Sequence, residues 1–264
     1  MQQLLDIMQA LRNKETGCPW DIAQDFKSLA PYAIEEAYEV VDAIERQDFN
    51  DLKSELGDLM LQVVFHAQLA KEQGLFDFND VLSSINEKMI SRHPHVFGDA
   101  TIKTQAEQTT SWELIKKLER AEKNCDDSSA LAGVSNGMPE TIRALKLQKK
   151  AAAVGFDWPD VNCVFDKLYE EIAEVRVEID SDSGHEALQD EIGDLLFVSV
   201  NLARHAKVDF GAALRHANRK FERRFRAMEV IVEQNHTSLS QLSLSEQESL
   251  WKQVKLQENA NESI

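Results

Sequence analysis

The sequence predicts an all-α protein made of two tandem, duplicated helical-bundle domains. Three observations carry this: few turn residues, apolar residues at helical spacing, and one set of motifs that occurs twice. Glycine (10) and proline (5) are scarce in 264 residues, whereas sandwiches and barrels need many turns. That length suits two ordinary domains, and a hydrophobic fraction of 43% supplies a core without disulfides.

The helices follow from apolar spacing. Ile34, Tyr38 and Val41, then Leu52, Leu56, Leu59 and Val63, recur every three or four residues, which lays one apolar stripe along a helix. In the second half Leu168, Ile172, Val175 and Ile179 form one stripe, and Leu188, Ile192, Leu195, Ser199 and Leu202 form the next. Ser181-Asp182-Ser183-Gly184 between them reads as a helix stop and a new start. So short a connection makes the two helices antiparallel neighbours. No run alternates as a strand should.

The duplication is legible in the motifs. Glu35-Glu36-Ala37-Tyr38-Glu39 precedes Glu55-Leu56-Gly57-Asp58, and Glu170-Glu171-Ile172-Ala173-Glu174 precedes Glu191-Ile192-Gly193-Asp194. Asp77-Phe78 leads to Asn86, Lys88 and Arg92; Asp209-Phe210 leads to Asn218, Lys220 and Arg224 at the same offsets. Trp20-Asp21 and Asp157-Trp158 stand ahead of the acidic motifs, and Trp112 with Lys116, or Trp251 with Lys255, ends each half. The domains are expected at 1–124 and 125–264, joined through Asn124-Cys125-Asp126-Asp127-Ser128-Ser129, a polar break in the periodicity. Val134 to Pro139 is a further loop.

A net charge of −17 argues against nucleic-acid binding, which needs a basic surface. Cys18, Cys125 and Cys163 show no metal or disulfide spacing, as expected for free thiols in a reducing compartment. No apolar stretch approaches the ~20 residues that span a bilayer, and the N-terminus lacks a signal-type h-region. The expectation is a cytoplasmic protein with no membrane partner.

Residues three or four apart share a helix face, so Glu171 with Glu174, and Glu191 with Asp194, project side by side and converge if the helices pack antiparallel. Four close carboxylates repel and raise one another's pKa; a divalent cation resolves this. All-oxygen ligation selects Mg²⁺, or Mn²⁺, over zinc. Solvated glutamates are the ordinary alternative, but the second pair sits among Ile192, Leu195, Leu196 and Phe197, where an unpaired charge is expensive. Gly57 and Gly193 suggest close helix approach, since glycine costs a helix about 1 kcal/mol relative to alanine. Glu36, Glu39, Glu55 and Asp58 form a possible second site.

Arg215, Arg219, Lys220, Arg223, Arg224 and Arg226 make a basic cluster in an acidic chain. Lys220, Arg223 and Arg224 share a face suited to clamping phosphate oxygens. Metal and cations together point to a polyphosphate ligand, and no GxxxxGK[ST] loop is present. Asn201, seven residues after Asp194, shares its face and is placed to meet a sugar or base. Trp251 is a candidate to stack on a base.

EExxE followed about twenty residues later by ExxD on an all-α scaffold resembles the MazG-like nucleoside triphosphate pyrophosphohydrolases. Cys18-Pro19-Trp20-Asp21, His93-Pro94-His95-Val96-Phe97-Gly98 and Lys220-Phe221-Glu222-Arg223-Arg224 extend the resemblance over nearly the whole chain. It implies Mg²⁺-dependent hydrolysis of NTPs and dNTPs to monophosphate and pyrophosphate, a homodimer, a housekeeping role on nucleotide pools, and main activity in the second domain. Carried over by motif, Glu171, Glu174, Glu191 and Asp194 ligate metal. Lys167, Leu168, Tyr169, Glu170, Glu171, Ala187, Leu188, Gln189, Asp190, Lys220, Phe221, Glu222, Arg223, Arg224 and Trp251 contact nucleotide.

Aligning Asp58 with Asp194 sets Phe65 opposite Asn201; aligning Lys88 with Lys220 sets Ser91 opposite Arg223. The first half thus loses an amide and a cation, which predicts weak turnover or a structural role there. His93 and His95 read as loop residues. The expected mechanism is direct attack by water, with Glu170 or Glu171 as base, Glu174 in the metal set, and Lys220, Arg223 and Arg224 offsetting charge on the leaving group. A dUTP- or dCTP-specific pyrophosphatase and a non-catalytic nucleotide sensor are the competing readings.

Overall fold

A computed structural model describes residues 1–101, 104, 107–108, 111–112, 114–115, 119 and 129–261. Its described elements are helices, in two compact units, Met1–Cys125 and Asp126–Ile264. Lys116 and 124–128, the core of the expected linker, lie outside the described residues.

The first unit holds α1 (Gln2–Leu11), α2 (Pro19–Ala23), α3 (Phe26–Arg46), α4 (Phe49–Glu72), α5 (Phe78–Arg92) and α6 (Pro94–Phe97). Aspartate starts the long helices: the Asp25, Asp48 and Asp77 side chains accept from backbone amides of their first turns, each such cap contributing ~1 kcal/mol. Gln47, in the left-handed region at φ 58°, turns α3 back into α4, and Arg46 holds the corner through Asp42 and Asp51. The core gathers Met8, Leu29, Val64, Phe65, Ala67, Leu69 and Phe78 from α1, α3, α4 and α5. His95 lies within α6 rather than in a loop, and His93 links α5 to α6; Pro94 at the first helical position is the cause.

The second unit holds α7 (Glu140–Ala152), α8 (Val161–Ser181), α9 (His185–His205), α10 (Phe210–Gln234), a 3₁₀ turn (Leu239–Gln241) and α11 (Leu244–Asn261). Asp160 and Asp209 cap α8 and α10 as their counterparts do. Asp182 at φ 49° and Gly184 at φ +100° reverse the chain between α8 and α9, where the sequence placed the stop and start. α9 packs along α8 and touches α7, and α10 packs with α11. Val164, Val198, Val200, Met228, Val232 and Val254 are buried.

Two expectations fail. A Cβ at Gly57 or Gly193 would meet nothing within 4 Å, and both glycines are exposed, so close helix approach within the chain does not explain them. Ile192, Leu196 and Phe197 are 40%, 58% and 41% exposed; the apolar residues around the second acidic pair face outward in the single chain, so they do not desolvate it. Among the described residues no helix is long and apolar enough to cross a membrane.

Candidate metal and nucleotide site

The pairing of α8 with α9 brings three acids together. Carboxylate oxygens of Glu171, Glu174 and Glu191 lie within 4.8 Å of one another. Glu171 is 2% exposed, and its Oε2 has no hydrogen-bond partner. Lys167, one turn back, reaches Glu171 Oε1 at 2.7 Å and Glu170 Oε1 at 2.6 Å, and these contacts hold its ammonium well above the usual lysine range. Burial, then the charges of Glu174 and Glu171, push the Glu191 carboxyl up. A buried carboxylate oxygen without a donor, beside two further carboxylates, is a donor set that fits a hard divalent cation.

Asp194 falls outside this trio. It is exposed, lies about 4.5 Å further along the α9 axis than Glu191, and has a shorter side chain than glutamate. In the first unit the converging acids are Glu36, Glu55 and Asp58, so there the member left out is Glu39. Glu36 is raised by burial and by a hydrogen bond with Glu39; Glu55 is raised by burial and by the charge of Asp51.

The expected phosphate cations converge elsewhere on α10. Arg224 Nε donates to Glu258 Oε2 at 2.6 Å, and Arg223 pairs with the same carboxylate. The Arg224 guanidinium lies over the Trp251 ring at 5.8 Å, and Phe221 meets that ring at 5.4 Å. Both arginines hold the Glu258 carboxyl below its usual range. Trp251 thus backs an arginine, and only the part of its ring outside these contacts is left for a base. Lys220 is half-buried, and Phe221 and Glu222 are exposed, Glu222 pairing with Arg226. Leu168, Ala187 and Leu188 are half-buried, while Tyr169, Glu170, Gln189 and Asp190 are exposed around the two ends of the α8–α9 hairpin.

Sequence reasoning missed Glu258. Its first-unit counterpart is Glu119, which takes Arg92 at 2.6 Å while Trp112 Nε1 donates to the Arg92 carbonyl at 2.9 Å. Glu119 follows Trp112, and Glu258 follows Trp251, by seven residues. The spacing Trp-x₆-Glu, present twice, was the available signal.

Asn201 is buried and its Oδ1 accepts from Arg204 Nε at 2.7 Å. Arg204 also grips Asp157, and the Arg204 guanidinium, with a smaller contribution from His205, lowers the Asp157 carboxyl to about 2. Asn201 borders a cavity of about 440 Å³ between α7, α9 and the Gly155–Trp158 turn.

Two segments, 24–97 and 162–228, match the MazG nucleotide pyrophosphohydrolase domain, one in each unit. The chain is 50% identical over 259 residues to a nucleoside triphosphate pyrophosphohydrolase of Escherichia coli K12, covering 98% of both chains. It is 42% identical over 254 residues to a nucleoside triphosphate pyrophosphohydrolase/pyrophosphatase MazG of Thermotoga maritima, covering 96% of this chain and 95% of that one. A solved structure of a MazG-related protein from Thermotoga maritima aligns at 27% identity and a TM-score of 0.38, over 44% of this chain and 99% of that one. Two domain matches, each enclosing an EExxE–ExxD pair on adjacent helices, and near-complete coverage of named relatives place this chain in the MazG nucleotide pyrophosphohydrolase family.

Proposed function

We propose that the chain hydrolyses nucleoside triphosphates, both NTPs and dNTPs, to the monophosphate and pyrophosphate, and that the second unit carries the activity with Mg²⁺ (or Mn²⁺). The observation that supports this most is Glu171, buried with one oxygen unpartnered and within 4.8 Å of Glu174 and Glu191. These three would hold the cation, with Asp194 as an outer ligand. Bound there, the cation would offset phosphate charge and make a water easier to deprotonate.

The protein groups divide the remaining work. Lys167 keeps Glu170 and Glu171 charged. With Glu171 committed to the cluster, exposed Glu170 is the group left to take the proton of the attacking water. One water is consumed, the bond between the α- and β-phosphates breaks, and the electron pair leaves on pyrophosphate. Lys220, Arg223 and Arg224 offset the charge that develops there; Glu258 aligns the two arginines beforehand. The exposed Tyr169, Leu196 and Phe197 support a homodimer that covers this face. Clearing non-standard or surplus nucleotides is the cellular role this chemistry suits.

Pyrophosphate release from a panel of NTPs and dNTPs, with Mg²⁺ and with chelator, tests the reading. The expected result is turnover across several bases that chelator abolishes. Turnover of one base alone would replace the broad activity with a narrow one, and no release from any nucleotide would remove the enzymatic reading.

A further inference from the structure

The cavity in the second unit combines aromatic walls with one fixed hydrogen-bond acceptor. Phe156, Trp158 and Phe197 supply aromatic faces, and Ala151 on α7 forms part of the floor. Gln148 also lines the cavity and is 6% exposed. Its Nε2 donates to the Phe197 carbonyl at 2.8 Å, while its Oε1 has no hydrogen-bond partner. The bond to Phe197 fixes which end of the amide is which, so the cavity is offered an acceptor. A buried carbonyl without a donor is costly unless a ligand supplies one.

The first unit shows what the same place looks like when filled. Phe65, opposite Asn201 in the repeat, is 3% exposed. Trp20 packs edge-on against it at 6.5 Å, and the Arg12 guanidinium covers its ring at 5.4 Å. In the second unit the smaller Asn201 stands there, and Arg204 is drawn aside to Asp157. Space of about 440 Å³ results, within the ~300–1,000 Å³ of small-molecule sites. Asn201 lies two turns beyond Asp194 on α9, about 10 Å along the axis, the reach of a ribose and base from a phosphate at the acidic cluster.

We propose that this cavity, lined by Gln148, Ala151, Phe156, Trp158, Phe197 and Asn201, is the nucleobase subsite of the second unit, with Gln148 Oε1 accepting an N–H from the base edge. The inference rests on the nucleotide hydrolysis proposed above. Aromatic faces stack any base. Adenine, guanine, cytosine, uracil and thymine all present an N–H at their pairing edge, so one acceptor serves them all and rejects an edge without N–H. The first unit, plugged by Phe65, has no equivalent subsite.

The test measures KM by pyrophosphate release, and Kd by calorimetry, for ATP and for purine riboside triphosphate, which lacks the exocyclic amine. Inorganic tripolyphosphate, the same anion without a base, is the control. Wild type is expected to favour ATP by about tenfold, the worth of one hydrogen bond, and Gln148→Met to level the two. Ala151→Phe fills the cavity from a helix without touching a polar group; it should weaken ATP at least tenfold and leave tripolyphosphate unchanged. Asn201→Phe, the first unit's own residue, provides a second filled variant if Ala151→Phe does not fold by circular dichroism. Filled variants with wild-type ATP affinity overturn the subsite, as does an equal loss for tripolyphosphate. Base-dependent ATP binding without any pyrophosphate release would keep the subsite and remove the hydrolase reading instead.

Discussion

Glu171→Gln separates the metal role of this carboxylate from its place in the fold. At an effective dielectric of about 20, unit charges about 4 Å apart interact by ~4 kcal/mol, and a divalent ion doubles this. Water that takes up the lost ligand position offsets much of it; if roughly 2–4 kcal/mol survives, Mg²⁺ affinity falls about 30- to 1,000-fold. The metal-free fold behaves differently. Glu171 is buried beside Glu174 and Glu191 with a single cation, Lys167, against it, so glutamine removes an expensive charge. Melting without metal is therefore expected to be unchanged or slightly higher. In wild type, Mg²⁺ at about 100 times its Kd adds ~2.7 kcal/mol, roughly 8–10 °C in a domain of this size. The variant should show almost none of this shift and little pyrophosphate release. Calorimetric Mg²⁺ titration and thermal melts with and without Mg²⁺ read both effects. A variant with the wild-type Mg²⁺ shift and turnover within about threefold of wild type would refute the assignment.

Glu36→Gln, at the matching position of the first unit, is expected to leave pyrophosphate release within about twofold of wild type; a loss equal to that of Glu171→Gln would show that activity lies in the other half. Mg²⁺ affinity should weaken as pH falls from neutral towards 5, because the raised Glu191 carboxyl takes up its proton earlier than an ordinary carboxylate, and calorimetry across that range checks it. The same raised value means that the metal-free fold binds this proton more tightly than the unfolded chain, so metal-free stability gains as pH drops through that window. Asp157 has the opposite sign. Its carboxyl, lowered to about 2, stabilises the fold above the usual carboxylate range near pH 4, and that contribution disappears as pH falls through about 2; Asp157→Asn should destabilise by on the order of 1 kcal/mol at neutral pH after solvent screening, read by denaturant titration. Glu258→Gln should lower the melting point and raise KM more than it lowers kcat, since it releases Arg223 and Arg224 together; an unchanged KM would make the contact a fold element only.

The helices were legible because their signals are local. Aspartate precedes α3, α4, α5, α8 and α10, and apolar spacing marks the faces between. The acidic trio was legible for the same reason, since i to i+3 spacing on two consecutive helices needs only a short hairpin to converge. The exclusion of Asp194 was not, because a shared face does not specify reach, and one methylene and 4.5 Å of helix rise decide it. Gln148 and Asp157 carry no sequence signal at all. Their partners, Phe197 and Arg204, are 49 and 47 residues away and meet them only after α7 and the turn before α8 pack on α9. Exposure of Ile192, Leu196 and Phe197 was misread because spacing identifies an apolar face without saying what covers it.

The two units keep the same frame and differ at the places where a nucleotide would extend beyond the metal. Both retain three converging carboxylates and an arginine held by a glutamate seven residues beyond a tryptophan. A feature kept in both units, one of them with its cavity position filled, is explained by the fold alone. Discriminating power therefore lies in the differences. Arg223 faces Ser91, which adds a cation at the end where pyrophosphate would leave, and Asn201 faces Phe65, which opens space at the end where a base would enter. One change acts through charge and the other through volume, and neither alters the α8–α9 hairpin that holds the acids. The shared acids alone account for affinity for a cation, and the two divergent ends are what would turn a cation site into a nucleotide site.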